Sequence, residues 1–122
     1  MPQSAINWFE IPVTNIERAV QFYNTILDIQ LELMGAMGAT TAFFPYETDG
    51  VGGSLTMGDG YVPSQTGPVV YLNGGQNLST VLDRVPAAGG QVLLPKTGIG
   101  ENGYIAFFLD TEGNKIGLHS GG

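Results

Sequence analysis

The run Ala42-Phe43-Phe44-Pro45-Tyr46-Glu47-Thr48-Asp49-Gly50 returns as Ala106-Phe107-Phe108-Leu109-Asp110-Thr111-Glu112-Gly113. From Ala42 to Ala106 the spacing is 64 residues, close to half of a 122-residue chain. A hydrophobic strand entering an acidic, Gly-terminated turn twice at that interval implies two copies of one unit, and a repeat of this length decides a fold before local propensity does. The rest of each half agrees. Ile11-Pro12-Val13-Thr14-Asn15-Ile16 opens the first half and Val69-Val70-Tyr71-Leu72-Asn73-Gly74 the second. Each is an apolar run ending at a turn or cap residue before a helical pattern.

The strand and helix periods place the elements. Ile6 to Val13 reads as a strand, with Trp8, Glu10 and Pro12 on one face and Phe9, Ile11 and Val13 on the other. Asn15 is a helix cap, after which Ile16, Val20, Tyr23 and Leu27 form one stripe, with Arg18, Gln21, Asn24 and Thr25 off it. Strands follow at 31–34, 40–44 and 53–57, with Gly35-Ala36-Met37-Gly38 as a hairpin connection. Residues 59–67 read as a linker between a first module of about 5–58 and a second of about 68–120, all within one domain. The second module repeats the plan: a strand at 69–72, one helix carrying Leu78, Val81, Leu82 and Val85 and terminated by Pro86-Ala87-Ala88-Gly89-Gly90, then strands at 91–94, 104–109 and 115–119. Asn102-Gly103 marks a hairpin turn. The expected fold class is α+β, two tandem βαβββ modules whose curved mixed sheets form a cup.

Composition excludes several functions. The net charge is −7 with four Lys and Arg, which argues against nucleic acid or an anionic membrane as partner. Residues 1–60 hold seven acids and one base, whereas 61–122 hold four acids and three bases. The chain has no Cys, which rules out disulfides and thiolate chemistry and fits a cytoplasmic protein. No stretch is apolar enough to span a bilayer, and Met1 to Ala5 lacks the marks of a signal peptide. No phosphate loop and no Ser-His-Asp arrangement is recognisable.

Two motifs carry a family resemblance. Glu10 to Leu27, with its turn at Thr14-Asn15 and Phe22-Tyr23 in the helix, and Asp110-Thr111-Glu112-Gly113-Asn114-Lys115-Ile116 both resemble the vicinal oxygen chelate superfamily. That group includes glyoxalase I, bleomycin-resistance proteins and extradiol dioxygenases. The resemblance covers nearly the whole chain and implies the fold above. It also implies four metal-ligand positions, which in metal-using members hold His, Gln or Glu. Here they fall on Trp8, near Ser54, near Gly67 and on Gly117. Such a set does not suit a divalent ion, so no cofactor is expected, a relocated divalent metal being the competing possibility.

Strand parity puts Glu10 on the face of Trp8 and His119 on the face of Gly117. A carboxylate inside an apolar strand needs a partner, and His119, the single His, is the candidate. The pair reads as a buried structural contact, as a catalytic acid and base, or as two ligands of a relocated metal with Thr56 or a loop Glu as a third. Trp8 is either core or a platform for a flat ligand. Glu101 and Tyr104 sit at a hairpin tip that is either a lid over the ligand or a solvated turn. Met34 and Met37 flank the corresponding hairpin of the first module. The candidate ligand-binding set is therefore Trp8, Glu10, Thr56, Glu101, Tyr104 and His119, with Glu10 and His119 as candidate catalytic residues. The resemblance, the low charge and Phe22, Phe43 and Phe44 taken as exposed together imply a homodimer. Three functions compete: a metal-independent binder of neutral or cationic aromatic molecules, a lyase or isomerase using Glu10 and His119, and a metal-dependent glyoxalase-like enzyme.

Overall fold

The computed structural model describes residues 4–36 and 39–122. Its first half contains β1 (Trp8–Pro12), α1 (Ile16–Leu27), β2 (Glu32–Ala36), β3 (Ala39–Phe43) and β4 (Gly52–Met57). The second half contains β5 (Tyr71–Asn73), α2 (Ser79–Leu82), α3 (Val85–Ala88), β6 (Gln91–Gly98), a short 3₁₀ turn (Gly100–Asn102), β7 (Tyr104–Leu109) and β8 (Lys115–Ser120). Each half forms one four-stranded sheet, ordered β1-β4-β3-β2 and β5-β8-β7-β6. The first and last strands of each module pair in parallel and the other pairs are antiparallel. The chain thus has the α+β, double βαβββ fold.

The repeat is exact enough to be traced in single hydrogen bonds. The N–H of Val13 donates to the carbonyl of Thr56 at 3.0 Å, and that of Gly74 to His119 at 2.7 Å. Glu10 pairs with Ser54 as Tyr71 pairs with Gly117, and Phe43 pairs with Ser54 as Phe107 pairs with Gly117. Matching positions of the two modules follow directly from these pairs. The strand expected from Val69 begins at Tyr71, although the Gly117 N–H still reaches the carbonyl of Val70 at 2.9 Å. The hairpin residues Met37 and Gly38 lie outside the described residues.

Helix α1 begins where Asn15 accepts the Arg18 N–H at 3.1 Å, the expected cap. It ends at Asp28, a left-handed residue whose N–H returns to the Asn24 carbonyl. Its buried positions are Ile16, Ala19, Phe22, Tyr23 and Ile26, a wider stripe than the sequence period suggests. The helix packs on its own sheet and on the second module, so it needs two adjoining apolar strips. Phe22 and Phe44, expected to be exposed, are buried: Phe22 stacks at 5.8 Å from Phe108, and Phe44 lies 5.8 Å from Tyr23. The single helix expected in the second module is two short ones, because Pro86 in the first turn of α3 has no N–H to continue the helical ladder. Arg84, at the break, donates to the carbonyl of Ile26 at 3.1 Å and closes the end of α1.

The turn after β7 joins the modules. Asp110 is buried and accepts four hydrogen bonds: Tyr23 hydroxyl at 2.6 Å, Asn114 Nδ2 at 3.0 Å, and the N–H groups of Glu112 and Asn114 at 2.8 and 2.9 Å. Asn114 Nδ2 also donates to the carbonyl of Pro12 at 2.7 Å, and its Oδ1 accepts the Ser64 N–H at 3.0 Å. Glu112 crosses to the start of α1. Its Oε1 accepts the N–H groups of Thr14 and Asn15 at 2.9 and 2.8 Å, and its Oε2 meets Arg18 Nε at 2.7 Å. A carboxylate from one module therefore stabilises the helix N-terminus of the other. Burial works to raise the Glu112 pKa, but the bonds from Arg18, Asn15, Thr111 and Thr14 outweigh it and hold it at about 2. Burial, then the charge and hydrogen bond of Asp110, push the Tyr23 hydroxyl well above its ordinary value.

Replacing Asp110 with Ala strands Tyr23, Asn114 and the Glu112 N–H, and should cost about 3–5 kcal/mol in urea unfolding. Glu112 makes a separate prediction. Its folded pKa is depressed, so its contribution is complete above the ordinary carboxylate range and disappears as pH falls from about 4.5 towards 2. Wild type should lose on the order of 2–3 kcal/mol more over that interval than Glu112→Gln.

Candidate functional site

Each sheet buries one face against the helices and leaves the other without a helical cover. In β1 the core face is Phe9, Ile11 and Val13, and the opposite face presents Trp8, Glu10 and Pro12. Cross-strand pairing extends that second face through Gly52, Ser54 and Thr56 of β4, Phe43 and Thr41 of β3, and Glu32 and Met34 of β2. In the second sheet it carries Tyr71 and Asn73, then Lys115, Gly117 and His119, then Ile105 and Phe107. These helix-free faces hold the chemistry-bearing residues.

Trp8 is not fully buried, with 38% of its surface exposed. Its ring lies 6.0 Å from Phe43 and 6.1 Å from Tyr46, at interplanar angles of 62° and 86°. The cluster exists because Gly52, its partner on β4, has no side chain. A Cβ there would fall 2.5 Å from the Tyr46 ring and 2.7 Å from that of Trp8. The sequence alone assigns no ligand role to Phe43 or Tyr46. The parity of Phe43 with Ser54 was the available signal for the first. Tyr46 lies beyond the end of β3, where strand parity gives no direction.

Glu10 and His119 do not form the expected pair. Both occupy the face predicted, but Glu10 is exposed and shares a concavity of about 300 Å³ with Asn114, Lys115 and Ser64. His119 lines another, of about 660 Å³, with Asn73, Ile99, Asn102 and Ile105. The reason is longitudinal. Asn114 holds β1 beside the start of β8, and His119 stands four residues further along, about 13 Å away at the rise of a strand. Side-chain parity fixes the face and says nothing of the distance along it.

His119 Nε2 instead lies 2.5 Å from the carbonyl of Asn102. The hairpin tip is thus fastened to β8, which disfavours a freely moving lid. Glu101 is exposed on that tip, and Tyr104 lies beneath Lys96 Nζ, 4.4 Å from the ring centroid. Thr56 is buried, with its hydroxyl 3.2 Å from that of Ser54. The candidate set is therefore spread over separate places: Trp8 in the aromatic cluster, Glu10 near Lys115, and Glu101, Tyr104 and His119 around the second hairpin.

Residues 5–118 match the family model described as Glyoxalase/Bleomycin resistance protein/Dioxygenase superfamily. The chain belongs to that superfamily. No curated protein matches the chain. Among solved structures, a glyoxylase/bleomycin resistance protein/dioxygenase domain from Frankia sp. EAN1pec is similar at TM-score 0.74 and 18% identity, covering 99% of this chain and 94% of that one. Glyoxalase I from Zea mays is similar at TM-score 0.71 and 22% identity over 94% of this chain and 45% of its own. The fosfomycin resistance protein FosX from Listeria monocytogenes is similar at TM-score 0.68 and 17% identity, covering 99% and 94%. At these identities the likeness establishes the fold. The chain spans less than half the length of the maize enzyme.

The ligand positions implied by the superfamily do not fit a divalent ion in this member. Trp8 presents an indole, Ser54 shares its hydroxyl with Thr56, and Gly117 lies against the Tyr71 ring. Gly67 is in the connection before β5, and strand pairing gives the place matching Trp8 to Val69, which also offers no donor. Among the described residues, no three His, Cys, Asp or Glu side chains gather at one point.

The tether between His119 and Asn102 generates a local prediction. His119→Ala should raise amide exchange at residues 100–103 while lowering global stability by only about 0.5–1.5 kcal/mol. Hydrogen exchange followed by mass spectrometry reads both.

Proposed function

We propose that this superfamily member is a small-molecule binder that holds its ligand on the helix-free faces without a divalent metal. The observation that carries the reading is the ring cluster of Trp8, Phe43 and Tyr46, an open aromatic surface built over a glycine. An apolar wall with a few polar groups beside it is the usual form of a small-molecule site. The ligand class is neutral or cationic and aromatic, since the first module's acid excess disfavours anions and the indole offers a stacking face. Exposed Trp8, Met34 and Tyr71 on these faces favour a homodimer that encloses the ligand. The chain has no Cys, and among the described residues no helix is long and apolar enough to cross a membrane; both features accord with a cytoplasmic role.

The lyase or isomerase reading requires Glu10 and His119 to act on one substrate. Their separate concavities remove the main support for it. The test of the binder uses the intrinsic fluorescence of the single Trp. Members of a set of neutral and cationic aromatic compounds should quench Trp8 saturably, and Trp8→Ala should lose their binding in calorimetry. Dialysis against EDTA should leave the affinity unchanged. Affinity lost on dialysis and restored by a divalent metal would transfer the case to the metal-dependent reading.

A further inference from the structure

We propose that Trp8, Phe43 and Tyr46 form a cage for an alkylated ammonium group, with Glu32 as its counter-charge. This deepens the small-molecule reading above and rests on it. Trp8 and Tyr46 meet edge to face, 86° apart, and Phe43 packs edge to face at 62° to the indole, so three rings border one concavity. The concavity there measures about 440 Å³ and is completed by Gln30, Glu32 and Pro45. Aromatic faces attract cations through their quadrupole, and a weakly hydrated quaternary ammonium gains most, because it gives up little water to enter.

The second module supplies an internal precedent. The residue matching Phe43 there is Phe107, since each pairs with the corresponding position of the closing strand, Ser54 or Gly117. Over the Phe107 ring sits an ammonium group of the chain itself, Lys115 Nζ, 4.4 Å from the centroid. Lys115 stands two residues before Gly117, as Gly52 stands two before Ser54. At the place where module two has a lysine, module one therefore has a glycine, and two further rings lean over it. The first module has built the walls of the same interaction and left out the internal cation.

Charge points the same way. Glu32 is the cross-strand partner of Phe43 and lies on the same face. Residues 1–60 contain seven acids and a single base, and that base, Arg18, is committed to Glu112. A cation entering the cage thus meets a net negative module with no competing positive side chain of its own half. Neutral ligands gain only the apolar contact.

The experiment titrates the whole protein with choline chloride at constant ionic strength, following Trp8 emission, beside 3,3-dimethylbutan-1-ol, its neutral isostere. Choline should quench saturably, and the alcohol should bind at least about tenfold more weakly. Tyr46→Leu and Glu32→Gln change exposed side chains, so folding should be retained, as circular dichroism will show. Each should weaken choline about five- to tenfold, with Glu32→Gln leaving the alcohol unaffected. Gly52→Ala, which places a methyl against both rings, should abolish choline binding. Equal affinity for choline and the alcohol overturns the ammonium assignment. So does the absence of a saturable choline response while neutral aromatic compounds still bind, and in that case the broader binder reading stands. If neither class quenches Trp8, both fall together.

Discussion

The relation between the two modules depends on a buried carboxylate. Asp110 takes the Tyr23 hydroxyl from α1 and three donors from its own turn. That geometry aims Asn114 at β1 and at the linker, and Glu112 at the first turn of α1. A charge without water is tolerated only when its hydrogen-bonding capacity is met, and here the groups that meet it come from both halves of the chain. The clamp sets where β1 runs relative to β8. It therefore also determines which side chains of the helix-free faces become neighbours, Glu10 with Lys115 and not with His119.

The fold was legible because its signals are local and repeated. Asn15 caps a helix whose first turn and stripe are visible in the sequence, and the phrase at Ala42 predicts its counterpart at Ala106. What escaped were the relations between elements. Phe22 lies off the expected stripe, and only the presence of Phe108 from the other module explains why it is buried. Pro86 reads as the end of the helix, but it sits in the first turn of α3, where a missing N–H costs nothing, and the break falls before it, hidden by the apolar period of Leu78, Val81, Leu82 and Val85. At the site, parity correctly placed Trp8, Glu10 and His119 on helix-free faces. It could not give separation along a strand, and it had no hold on Tyr46, which lies in a loop.

The modules share a backbone plan and differ in what they put on it. The acidic turn at Glu47 to Gly50 is exposed, whereas its repeat at Asp110 to Gly113 holds the molecule together. The helix-free face of the first sheet is aromatic and acidic, while that of the second sets Lys115 over Phe107 and His119 beside Asn102. The same strand order underlies both surfaces. Among the described residues, only the second turn forms the joint between the modules.

Gly117 limits what its strand position accepts. Tyr71 rests where a Cβ at Gly117 would stand, 2.5 Å from its nearest ring atom. A single substitution there to a metal-binding side chain meets the ring and is disfavoured by sterics before any chemistry is gained. Reduction of Tyr71 alone removes the ring contact with Phe107, at 5.8 Å, and leaves the space over Gly117 unfilled. The effects of changing the two positions should therefore not add. Gly117 and Tyr71 thus behave as one unit under mutation, and a side chain enters this strand position only when the tyrosine ring gives way.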